Sequence, residues 1–364
     1  MKKLVIVGCG PRALAVALRA SLYDYNITII DEFPLGTWST SNMLEDMLMR
    51  SPISFDLTTF YPELAQYSLA SFLNKNVVYS TQKDVEECTI LCTRQEFKLY
   101  LNYIYSILLR KNIVINNSNV SLVTETNVVC KNSTIVPYDY LILSTGKNNH
   151  IIDIPNYLRN KHLLTIKDII YKNYTNREVN VIGSGQQAAE IVEYLSRNKS
   201  NVTWIQKHTP LVEPYPTPSI KNWGLYSALG NYYSTLSSIT SRDEYLMNVK
   251  NWGPSITPHI TTQLQKQSFN LLLNPSTTKE LNLNAYFILA LGFKQDIKLL
   301  NFNFNIALDK HATNFPSIKK DFQSTSHPNI YFTGLLALRF DGPRQGSIIS
   351  SAFTATTIIN SMNN

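Results

Sequence analysis

The chain has 364 residues, 44% apolar and 16% charged, which leaves room for two domains with full cores and excludes a disordered or low-complexity class. Its net charge of +7 is scattered rather than gathered into runs, which argues against a nucleic-acid surface. Four cysteines are too few for a disulfide scaffold, and neither the spacing of Cys88 and Cys92 nor the six histidines makes a metal-ligand pattern, so no metal is expected.

The first element is "KLVIV" at 3–7, a β-branched run that reads as a buried parallel strand. With two lysines ahead of it and Cys9 after it, this opening also invites reading as a secretion leader. Only Leu4 to Val7 are continuously apolar, however, and a leader core needs roughly 7–15 such residues. No apolar run is long enough to span a membrane, and a cytoplasmic protein is expected. Gly8-Cys9-Gly10-Pro11-Arg12-Ala13 follows, then helix formers from Leu14 to Ala20. Gly8 suits a tight turn, Gly10 a close approach to a pyrophosphate, and Ala13 close packing of helix on strand; the helix start holds the phosphates. "NITIIDEF" at 26–33 reads as the second strand, with Asp31 and Glu32 at its end, where an acid accepts hydrogen bonds from an adenosine ribose.

Residues 179–195, "VNVIGSGQQAAEIVEYL", repeat the arrangement: a strand, then Gly183-Ser184-Gly185-Gln186-Gln187-Ala188, then a helix. The next strand, at 201–208, ends in Lys207 and His208 instead of an acid, which favours NADPH over NADH because a cation suits a 2′-phosphate. Two further stretches, at 138–155 and 284–297, each run a strand into a small residue and a glycine, with Thr145-Gly146 in one and Gly292 in the other. The chain ends in a strand at 329–333, a loop through Gly334 and residues 342–345, and a helix from Gly346 to Met362; in two-dinucleotide flavoproteins, which these stretches resemble, such a helix start would face the flavin and favour its anionic reduced form. Residues 209–282, with prolines at 210, 214, 216 and 218, are irregular in pattern.

These elements predict an α/β fold with two dinucleotide-binding Rossmann-like domains, the FAD domain split by an inserted NADPH domain. The boundaries read as 1–165 for the first part of the FAD domain, 166–284 for the NADPH domain and 285–364 for the return. Two nucleotide turns in one chain point to electrons passing from NADPH to FAD.

The letters resemble the flavin-dependent N-hydroxylating monooxygenases, the lysine and ornithine N-monooxygenases within the class B flavin monooxygenases. The resemblance runs through "VGCGPRALAVAL", residues 31–73, "TRQEFKLYLNYI" at 93–104, "STGK", "VIGSGQQAAEIV" and "PNIYFTGLLALRFDGP". It implies that Thr37 and Trp38 of "GTW" lie along the flavin. It also implies that a glutamine and a substrate-holding lysine occupy positions where this chain has Arg50 and Phe55. Arg50 is the candidate contact to flavin, NADP⁺ or an anionic substrate group, and reads equally as a surface or phosphate-binding arginine. Gln186 is the candidate to orient the nicotinamide side, or simply starts a helix.

The expected activity is transfer of one oxygen atom from O₂ to a small nucleophile, such as an amine, with FAD and NADPH as cofactors. A flavoprotein reductase acting on a disulfide is the alternative: C-x-x-C is absent, but Cys9 sits beside a helix start that would lower its pKa. A non-enzymatic nucleotide sensor is the third reading. The partners expected are a small molecule and O₂, not nucleic acid or membrane, and self-association stays open.

Overall fold

The computed structural model describes residues 1–38, 44–59, 61–75, 88, 90–146, 158, 163–207, 209–212, 255–273, 281–291, 297–310, 312–341, 345 and 348–364. His208, Gly292, Gly346 and most of 209–282 lie outside them.

Two five-stranded sheets organise the chain, and every strand pair within them is parallel. In the first, β1 (Lys2–Val7) is central, flanked by β2 (Tyr25–Asp31) and by the strand at Tyr140–Leu143; Val114–Asn117 and Ile330–Phe332 form the edges. Leu4 to Val7 are buried, as a central parallel strand covered on both faces requires. Helix α1 (Pro11–Ala20) follows directly, with Pro11 in its first turn, where the missing N–H costs nothing. It packs against the last helix, Ile349–Asn363. That helix begins three residues after the expected Gly346. A three-stranded antiparallel meander over 120–137, which the sequence pattern did not reveal, hangs between the third strand and Tyr140–Leu143.

The second sheet has the same plan. Its centre is Glu178–Ile182, flanked by Asn201–Gln206 and Tyr286–Leu289, with edges at Asn270–Leu273 and Leu163–Leu164. The strands at 163–164 and 286–289 both belong here, so the second sheet overruns the expected limits at 166 and 284. The reason is physical: Tyr286–Leu289 hydrogen-bonds to Glu178–Ile182, the strand that leads into the second glycine turn, and cannot also serve the first sheet.

Each sheet has its own apolar core. One segment crosses between them. Leu44 and Met47 are buried in the second core with Ala188, Ile191 and Leu195, while Met49 enters the first. Backbone hydrogen bonds from Met49 to Cys92 and from Arg94 to Met47 fasten this segment to the start of the helix at Arg94–Arg110. Among the described residues no helix is long and apolar enough to cross a membrane.

Candidate active site

The two glycine turns share one plan. Gly8 has φ +110° and Gly183 has φ +143°. A Cβ on Gly8 would lie 2.2 Å from the Ser144 carbonyl oxygen, and one on Gly183 would lie 2.4 Å from that of Ala290. Both positions therefore admit only glycine, for conformation and for space. Ser144 N–H donates to Val7 O and Ala290 N–H to Ile182 O, each at 2.8 Å, so a neighbouring strand end closes the back of each turn. Gly10 and Gly185 then cap their helices with the same extended backbone, φ −78° and −93°. Among the described residues no side chain caps either helix, so their first N–H groups are offered forward. A Cβ on Gly10 would meet nothing within 4 Å. That is the form of a phosphate cradle.

Asp31 does more than the sequence reading asked of it. One carboxylate oxygen accepts the Cys9 N–H at 2.7 Å and the other the Phe33 N–H at 3.0 Å, so the acid locks the turn whose nucleotide it would hold. Burial raises its pKa above the ordinary value, and those two N–H groups oppose the rise. Gly36, at φ +57°, closes over this corner: its Cβ would lie 3.3 Å from Asp31 Oδ2. Thr37 continues the same short turn, and Trp38 packs tilted against Phe97, with ring centroids 5.0 Å apart. Glu32 is exposed at the strand end.

Arg12 reaches across to the returning chain. Its Nη2 donates to Ser350 Oγ at 2.7 Å, and its Cδ lies 3.4 Å from where a Gly334 Cβ would stand. Burial lowers its pKa to about 10, against the pull of Asp341, so it stays cationic at neutral pH. Around it Gln345, fully buried, donates to Asp341 Oδ2 at 2.6 Å and Thr354 Oγ1 at 3.0 Å. Gln345 Oε1, Thr333 Oγ1 and Ser351 Oγ are buried without a hydrogen-bond partner among the described residues. Buried polar atoms are rarely left so, and these fit the polar edge of a bound cofactor. Thr145 and Gly146 follow Ser144 at the mouth of the first turn.

In the second half the strand register corrects one assignment. Gly8 N–H donates to Ile30 O and Gly183 N–H to Ile205 O, so the counterpart of Asp31 is Gln206, with Lys207 one place beyond. Gln206 is neutral and 3% exposed, and nothing in the letters distinguished it from the cations that follow. Ser184 Oγ accepts the Lys207 N–H at 3.2 Å, and Trp204 Nε1 donates to Gly183 O at 2.7 Å, pinning the turn from below. Gln187 is half-buried in the first helical turn.

Gln186 spends its amide on the protein. Its Oε1 accepts the Thr257 N–H at 2.8 Å, and its Nε2 donates to Glu190 Oε1 at 2.8 Å and Thr257 Oγ1 at 3.2 Å. It is thereby a positioning residue in this structure rather than a free hand for the nicotinamide. Arg50 is half-buried between Met49 and Ser51, and Phe55 is 1% exposed.

Cys9 departs from expectation. The helix start should lower its pKa, yet burial pushes it up to about 12 and the neighbouring Asp31 charge adds to the rise. At 0% exposure it packs as a small apolar residue.

Residues 1–252 match the family described as L-lysine 6-monooxygenase/L-ornithine 5-monooxygenase. No curated protein matches the chain. Among solved structures, an ornithine N-hydroxylase from Kutzneria sp. 744 superposes with a TM-score of 0.78 at 18% identity, covering 100% of this chain and 99% of that one. The cadaverine monooxygenase DfoA of Erwinia amylovora gives 0.75 at 18% identity, covering 100% and 94%. A bacillithiol disulfide reductase from Bacillus cereus gives 0.62 at 16% identity, covering 100% and 99%. The shared fold thus spans oxygenases and a disulfide reductase.

Proposed function

The chain belongs to the L-lysine 6-monooxygenase/L-ornithine 5-monooxygenase family, and on that premise we propose that it hydroxylates the nitrogen of a small amine, using FAD, NADPH and O₂. The observation that carries the reading is the duplicated cradle, Gly8 against Ser144 and Gly183 against Ala290, in one polypeptide. The first cradle, with Asp31, Arg12 and the unpartnered polar atoms of Gln345, Thr333 and Ser351, would hold FAD. The second, with Gln206 and Lys207 where an acid would repel a 2′-phosphate, would hold NADPH. The relatives are described accordingly: the Kutzneria complex names reduced FAD, NADP⁺ and L-ornithine, and DfoA is bound to FAD.

When bound, FAD supplies the centre that takes a hydride from NADPH and activates O₂. The chain's own residues do the rest. The helix starts at Gly10 and Gly185 would neutralise pyrophosphate charge, and Asp31 holds the first turn and would offer its remaining lone pairs to a ribose. Arg50 remains the candidate contact for an anionic group. The resemblance implies a substrate-holding lysine at position 55, and a buried phenylalanine carries no charge there. An amine that needs no such cation is therefore the first class to try. A disulfide reductase would need a thiolate, and Cys9 with a pKa near 12 does not supply one at neutral pH. Four free, buried cysteines suit a reducing compartment, and the reading places the enzyme in the cytoplasm.

The test is anaerobic mixing of the purified protein with NADPH, followed by air and a panel of diamines, amino acids, thioethers and ketones. Flavin bleaching, then oxygen uptake with a hydroxylated amine as product, is expected. A protein that binds no FAD, or whose NADPH-reduced flavin passes its electrons to a disulfide and hydroxylates no amine in air, would overturn it.

A further inference from the structure

The helix at Arg94–Arg110 opens with a capping box: Thr93 Oγ1 accepts the Glu96 N–H at 3.1 Å and Glu96 Oε2 accepts the Thr93 N–H at 2.7 Å. Its first residue is Arg94. A cation at that end faces the positive end of a 17-residue helix, the unfavourable side for it. Helix stability does not explain it.

Its partner lies in the other half of the molecule. Arg94 Nη2 is 2.6 Å from Glu190 Oε1, and Glu190 is only 2% exposed, one turn into the helix that starts at the second phosphate turn. The same oxygen accepts Gln186 Nε2, and Gln186 is tied at both ends of its amide to Thr257, which caps the helix at Pro258–Leu264. Arg94 and Gln186 thus meet on one carboxylate, with Thr257 joined to it through Gln186, and Arg94 belongs to the flavin half. A second ion pair, Arg197 to Asp46 with Glu193 beside it, joins the far end of the same helix to the crossing segment. The helix is therefore tied to the flavin half near its start and to the crossing segment at its far end. A buried pair of this kind adds little stability, but it accepts only one geometry.

We propose that Arg94 and Glu190 form a clamp that sets the second phosphate turn, and with it the nicotinamide, at hydride-transfer distance from the flavin half. The clamp rests on the FAD and NADPH reading above. Both are positioning residues: they act through Gln186 and the helix start rather than on the reacting atoms. Hydride transfer is steep in distance, so a small rotation of the helix lowers its rate while binding persists.

The test compares Arg94→Gln, Glu190→Gln, the double variant and Arg94→Lys. The readouts are bound FAD, the limiting rate of anaerobic flavin reduction at saturating NADPH, and deuterium exchange over 178–197 in the cofactor-free protein. Arg94→Gln should keep its FAD, reduce at least tenfold more slowly at saturation and exchange faster at 186–190. Glu190→Gln should fall by at least threefold. The double variant should recover towards Glu190→Gln, because it no longer leaves a buried carboxylate alone, and Arg94→Lys should keep most of the rate. Wild-type rate and exchange in Arg94→Gln, or a double variant that falls by the product of the two singles, would overturn the clamp. Should Arg94→Gln fail to fold, Glu190→Gln with full FAD and an unchanged limiting rate would overturn it equally. If the wild type itself is not reduced by NADPH, the functional reading fails, and the exchange arm alone then decides the clamp.

Discussion

Replacing Gly183 by alanine separates the two cradles most cleanly. The new Cβ would stand 2.4 Å from the Ala290 carbonyl oxygen, where real contacts do not fall below 3.0 Å, so the strand end at 290 or the turn must move. The backbone at φ +143° is also outside every region alanine favours, a strain of about 1–3 kcal/mol. The chain can relieve both only by giving up the turn geometry that aims the helix amides. A loss of about 2 kcal/mol in nucleotide binding is the lower expectation, or roughly thirtyfold in Kd. FAD should be unaffected, because its turn closes on Ser144 and not on Ala290. The assay is NADP⁺ titration by calorimetry, with anaerobic flavin reduction at rising NADPH. Purified Gly183→Ala should be yellow, should bleach fully with dithionite, and should need far more NADPH for the same rate. The mirror variant Gly8→Ala, with its Cβ 2.2 Å from Ser144 O, should purify colourless. A Gly183→Ala protein with Kd within threefold of wild type would refute the claim that the turn is held by close approach.

Three further outcomes follow from the geometry. Gln206→Asp places an acid at the counterpart of Asp31; the KM for NADPH should rise about tenfold while that for NADH changes little, read in steady-state kinetics. Cys9→Ala should retain most of its turnover, and native protein should resist iodoacetamide at pH 8, where a thiol of pKa about 12 is ionised to roughly one part in ten thousand. Asp168, held down to about 2 by Lys172 and by the Thr165 N–H and hydroxyl, stabilises the fold above its unfolded value of 3.8, and that contribution is lost as pH falls through 2. Asp168→Ala should therefore cost under about 1 kcal/mol at pH 6, with the difference from wild type vanishing towards pH 2 in denaturant titrations.

Both glycine turns, their strands and their helices were legible in the letters, because each is a local device: a β-branched run, a residue with positive φ, and a helix whose first amides need no side-chain cap. In the structure the strands of the second sheet fall, in chain order, between the fourth and last strands of the first. What closes the backs of the turns did not follow. Ser144 and Ala290 act through carbonyl oxygens, and any small residue reads the same until strand pairing brings it against a glycine. Gln206 emerged as the counterpart of Asp31 only through register, since a one-residue offset at a strand end has no signature in composition. Gln186 and Cys9 were identified as special for their neighbours in sequence, yet their behaviour is governed by neighbours in space. Thr257 and Glu190 occupy the amide of one, and burial overwhelms the helix dipole at the other.

The sequence by itself thus determined that two nucleotide cradles exist and in what order, since hydrogen-bonding and steric rules over a dozen residues decide a turn. The tertiary structure alone decided how the cradles are braced and joined. Arg94 and Glu190 are 96 positions apart, and their ion pair exists because two sheets, each with its own core, pack with a shared segment between them.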